Sequence, residues 1–154
     1  MEKELYNQLI QAVELDNIYI QSSNSQRFTP AAVQSNFLNA NVKMTQRLEF
    51  YKDDFFATSA TFEVNAVEDK NPDNHIFSIQ FTFIIEYKLI NFPEKYYNTP
   101  LIKEALDIFV ENNVPLNVWP YGREFIAQMT TRMGLPQLLI GTYKYIPQND
   151  EIGE

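Results

Sequence analysis

The chain has no cysteine, one histidine, one tryptophan and only four glycines in 154 residues. Without cysteine there can be no disulfide, no thiolate nucleophile and no cysteine-ligated zinc. The single histidine, His75, sits between a polar loop and an apolar stretch, where a solvated strand-edge role outranks general-base chemistry. The glycines form neither G-x-G-x-x-G nor a Walker loop, so a glycine cradle for phosphate has no support. Positive charge is also scarce: 12 Lys and Arg against 20 Asp and Glu give a net −8, with the basic residues scattered, which disfavours nucleic acid. No segment approaches the roughly 20 apolar residues of a membrane span. The start MEKELYNQ is polar where a secretory leader would be apolar, so the expected location is cytoplasmic, without membrane insertion.

The remaining polar clusters have structural readings. Asp53 with Asp54 and Glu68 with Asp69 fall at turns and lack the ligand spacing of a calcium loop. Arg123 and Glu124 could meet an anion, but a glutamate in a first helical turn already complements the helix dipole. No catalytic pair, metal site or cofactor site emerges, and an enzyme is not expected.

What the chain has in excess is aromatic surface, with 12 Phe and 9 Tyr. Its length suits one domain over 1–154, able to bury roughly two-thirds of its unfolded surface. In the N-terminal 1–15, the spacing of Leu5, Leu9, Ala12 and Val13 predicts an amphipathic helix over 3–15, and DNIYIQS predicts a first strand over 16–22. A long connection, 27–41, carries Phe28, Val33, Phe37 and Leu38. Alternation then predicts three strands. The first has Val42, Met44, Leu48 and Phe50 on its apolar side, the second Phe56, Ala60, Phe62 and Val64. After a loop over 68–74, the third has Phe77, Ile79, Phe81, Phe83, Ile85, Tyr87 and Leu89 on one face. Thr99 and Pro100 open a helix over 101–113, and Pro120 and Gly134 bracket another in which Phe125, Met129 and Met133 stand four apart. The tail starts apolar and extended, and 143–154 reads as a flexible end. Three amphipathic helices over one face of one small sheet leave surplus apolar surface, the mark of oligomer contacts or binding grooves.

The stretch PYGREFIAQMTTRMGLPQL resembles the signature region of the SecB family of protein-export chaperones. It carries a Pro120-Tyr121 opening, Arg123-Glu124 in the first turn, Arg132 nine residues on, and Gly134 with Pro136-Gln137-Leu138 after the helix. NIYIQSSNSQRF is similar to the family's first strand and VQSNFLNANVKM to its crossover. The N-terminal helix and the Leu135-Pro136 that follows the central helix look more like the SecB-like chaperones attached to toxin–antitoxin systems.

The resemblance implies an α+β fold: a four-stranded antiparallel sheet with helices on one face, assembling with itself as a homodimer or homotetramer. It implies ATP-independent holding of unfolded or nascent polypeptide clients in an apolar groove. The residues assigned to that groove are Phe28, Val33, Phe37, Leu38, Val42, Met44, Phe125 and Met129, with core packing as the competing reading for each. Further partners would be the SecA motor or an antitoxin. Export SecB docks SecA through acidic groups on its open sheet face; here that face mixes Lys43, Arg47 and Lys88 with Glu49, Glu63 and Glu86. The competing functions are a chaperone dedicated to one antitoxin, and a small-ligand carrier or enzyme using the cleft between sheet and helices.

Overall fold

The computed structural model describes residues 3–28, 38–141 and 143. Within them the order is α1 (Lys3–Ala12), β1 (Val13–Arg27), β2 (Leu38–Lys52), β3 (Phe55–Glu68), β4 (Asn71–Leu89), a 3-10 turn at Glu94–Tyr96, α2 (Pro100–Asn112) and α3 (Val114–Arg132). The strands form one antiparallel sheet in the order β1-β4-β3-β2. The expected α+β architecture is the observed one.

The register follows the alternation of the sequence. Phe56, Thr58, Ala60, Phe62, Val64 and Ala66 of β3 face the same way as Phe77, Ile79, Phe81, Phe83, Ile85 and Tyr87 of β4, and all are buried. Their aromatic rings stack across the pair: Phe62 on Phe81 and Phe56 on Tyr87, both with centroids 4.8 Å apart. Burial pushes the Tyr87 hydroxyl up to about 12, partly offset by the hydrogen bond that Asn117 Nδ2 donates to it at 2.9 Å. The helices cover this face. Leu5 and Leu9 of α1, Ile102, Ala105, Leu106 and Phe109 of α2, and Val118 and Ile126 of α3 complete the core.

Several boundaries differ from the sequence reading. Helix α1 stops at Ala12, because Val13 already pairs with Leu89, and β1 extends to Arg27 rather than ending at residue 22. The expected loop over 68–74 is mostly strand: the turn needs only Asp69 and Lys70, and β4 begins at Asn71. Phe50 is not on the apolar face. A bulge between Leu48 and Phe50 sets Phe50 opposite Ala57 on the open face, 51% exposed, and gives the core position to Tyr51 opposite Phe56. Pro120 does not open α3. The helix begins earlier, at Val114-Pro115, and Pro120 lies inside it. Pro115 occupies the early position where a missing N–H costs nothing. Gly134, at φ 74, closes the helix: its N–H donates to the Thr131 carbonyl at 3.0 Å and the Leu135 N–H to the Thr130 carbonyl at 3.1 Å. Thr99 caps α2 through its hydroxyl, which accepts from the Ile102 N–H.

Candidate functional site

Helix α3 decides which apolar residues can act together. It runs antiparallel to β4: Asn117 bonds Tyr87, Tyr121 lies 6.3 Å from Phe83 and Phe125 4.4 Å from Phe81, ring to ring, and Met133 is reached by Arg27 at the far end of β1. At about 100° per residue, Trp119, Ile126 and Thr130 share one flank of the helix, and Tyr121 and Phe125 the other. The contacts agree. Trp119 sits 5.7 Å from Phe62 on β3, whereas Tyr121 and Phe125 meet β4. Gly122 lies between the flanks, directly against the Phe62 ring, where a Cβ would overlap that ring.

Since the strand order is β1-β4-β3-β2, the Trp119 flank looks toward β2 and the Phe125 flank toward β1. Three of the expected groove residues, Leu38, Val42 and Met44, lie together on the core side of β2, half-buried, paired with Glu68, Val64 and Phe62. Phe125 is half-buried on the opposite flank of α3, with Met129 between the two. Phe28 is 46% exposed at the end of β1, its ring edge-on to His75 at 6.5 Å, with β4 and β3 between it and the β2 group. Val33 and Phe37 lie outside the described residues. The eight candidates are therefore not one surface: α3 divides them. Trp119 and Thr130, on the flank of α3 that looks toward β2, carried no sequence signal beyond belonging to an amphipathic helix.

Further along β2, toward α2, lies a cleft of about 490 Å³ lined by Gln46, Arg47, Leu48, Asp107, Val110 and Glu111. Its lining is largely polar, with Leu48 and Val110 as the apolar part. Among the described residues no cluster of His, Asp or Glu could hold a metal, and no helix is long and apolar enough to cross a membrane. On the other face of the sheet, Glu49 accepts from Ser59 Oγ and from Arg47 Nε, both at 2.6 Å; these bonds, the serine's first, hold its carboxyl below the usual range. That face carries both signs of charge.

No protein-family model and no curated protein matches the chain. Among solved structures it is similar to the Mycobacterium tuberculosis SecB-like chaperone Rv1957, solved in complex with a ChAD peptide from the Rv1956 HigA1 antitoxin. The match has a TM-score of 0.77 at 13% identity and covers 94% of this chain and 100% of that one. The fold is SecB-like. A second likeness, to a protein of unknown function from Streptococcus agalactiae, has a TM-score of 0.47 at 11% identity over 84% of this chain and 96% of that one. At such identities the SecB-like likeness is one of backbone architecture, and the side chains on α3 and β2 are this chain's own.

Proposed function

We propose that this protein is an ATP-independent holding chaperone that takes extended apolar segments of non-native polypeptides into the trough between α3 and β2. One observation carries the reading. The core faces of β3 and β4 are sealed, but that of the edge strand β2 stays half-open, with Leu38, Val42 and Met44 in reach of solvent and Trp119 over Phe62, the cross-strand partner of Met44. Burying a client's aliphatic or aromatic side chain there yields on the order of 1.5–3 kcal/mol, without any need for a particular sequence. The SecB-like backbone supports the reading, since Rv1957 shares it and was solved with a bound peptide.

The test is suppression of aggregation of a chemically unfolded protein, with no nucleotide present. Met44→Asp places a charge on the floor of the trough at a half-buried position, so the variant should keep its fold and lose its holding activity. Phe81→Asp, at 1% exposure, should instead unfold the protein. Full holding by Met44→Asp would move clients out of the trough.

A second reading is a chaperone dedicated to one antitoxin, favoured by the antitoxin peptide on Rv1957. The same assay separates the two. A general holdase protects unrelated clients, and a dedicated one protects none of them. Docking to SecA is not part of the proposal, because the open face lacks a uniformly acidic surface: Lys43, Arg47 and Lys88 interrupt it.

A further inference from the structure

Beyond Gly134 the chain turns back along α3. Residues 135–141 form neither helix nor strand. The Leu138 N–H donates to Thr130 Oγ1 at 3.0 Å, and Trp119 Nε1 donates to the Gly141 carbonyl at 2.7 Å. Tyr143 then lays its ring against Trp119, centroids 5.5 Å apart. Burial alternates as it does for an extended chain on a surface: Leu138 is half-buried, Leu139 is 61% exposed and Ile140 is 8% exposed. Trp119, over Phe62 of β3, and Thr130 mark the flank of α3 that looks toward β2, the flank that would wall the proposed trough.

We infer that this strap is a resident occupant of the client groove, and that a client segment enters by displacing it. The inference rests on the holding function proposed above. Trp119 Nε1 and Thr130 Oγ1 are the groups that read the main chain of either occupant. Both touch backbone atoms of the strap, so they are indifferent to side-chain identity, while Leu138 and Ile140 supply the alternate apolar contacts that any extended apolar segment offers. Among the described residues the strap forms no ladder of backbone bonds. Nor does the end of α3 depend on the part of the strap from Leu138 on, because the Thr130 and Thr131 carbonyls accept from Leu135 and Gly134, which stay in place when that part leaves. A non-native client of the same chemistry offers the same contacts but has to outcompete a segment tethered at high effective concentration, and a chain without one keeps the α3 wall of its groove covered while the β2 side stays half-open.

Trp119 is the only tryptophan, so its emission reports the strap directly. Two full-length variants release it. Leu138→Ser with Ile140→Ser removes the apolar contacts. Leu138→Pro removes the N–H that Thr130 accepts and leaves both groove groups intact. The probe is a synthetic peptide of the strap's own sequence, LPQLLIGTY. The released forms should keep a cooperative melt and shift Trp119 emission to longer wavelength. They should bind the peptide about tenfold more tightly than the parent, as for a site that its own strap closes nine parts in ten of the time, and binding should return the emission to the blue. Equal peptide affinity in parent and released forms, with aggregation suppression intact in the parent, overturns the strap and leaves the holding function standing. Loss of the cooperative melt in both variants makes the segment part of the core and overturns it too. If the released forms bind the peptide but no form holds an unfolded protein, the inference falls through its premise.

Discussion

Gly122 sits where α3 touches the sheet most closely, and the reason is a ring. Phe62 is fully buried, stacked on Phe81 and flanked by Trp119, so it has no room to retreat from a Cβ above it. Gly122→Ala should therefore destabilise the protein by about 1–3 kcal/mol through overpacking. At this chain length, the melting temperature should drop by roughly 2–4 °C per kcal/mol. A melting curve identical to the parent's would mean that α3 rides higher on the sheet than the contact implies. In the sequence this glycine is one letter of a helix opening. Its partner, Phe62, is distant in the chain, and only the packing of α3 on β3 makes a side chain intolerable there.

At the scale of elements, α1 is built into the core rather than appended to it. Leu5 and Leu9 are 1% and 0% exposed, the Tyr6 hydroxyl accepts from Asn113 Nδ2 at 3.2 Å, and the Ile90 N–H donates to the Ala12 carbonyl at 2.8 Å. Leu9→Ala should cost about 2–5 kcal/mol, read by urea or guanidinium unfolding. A loss within error of zero would show that the sheet stands without its N-terminal helix. The apolar spacing of this helix, and the strict alternation of β3 and β4, were legible because burial on one face imposes a period on the sequence. The β2 bulge was not. One extra residue reverses the facing of everything after it, and Phe50 fits an alternating pattern as well as Tyr51 does. The same limit applies to Pro120. A proline marks a favourable helix start, but α3 is held along β4 by packing and accommodates one in its interior.

For the whole molecule, both edges of the sheet matter, and they differ. β2 is flanked by α2 and the trough. β1 is a 15-residue outer strand with Leu15, Tyr19 and Ile20 each at least 40% exposed, and Tyr121 of α3 lies exposed beside Phe83, the partner of Ile20. Among the described residues no strand pairs with the outer side of β1, and a long edge with exposed apolar side chains invites a second strand. Light scattering at micromolar concentration should give the mass of a dimer or tetramer, and Ile20→Lys should shift it toward the monomer. A monomeric parent would leave that edge without the partner proposed for it.

The sequence by itself determined the class of the fold, because the periods of its apolar residues, the Thr99 cap and the Gly134 stop are local consequences of burial and backbone conformation. It also determined what the chain lacks in reactive groups, since cysteines and glycine loops can be counted. The tertiary structure alone decided which apolar residues share a surface. Phe125 and Val42 are equivalent as letters, each apolar and each on the inner face of an amphipathic element. They came apart because α3 lies along β4 and sends one flank toward β1 and the other toward β2. The strap is of the same kind. Leu138 and Ile140 read as the apolar, extended start of the tail, and only the placing of Trp119 and Thr130 on one flank of α3 gives that stretch a place to bind.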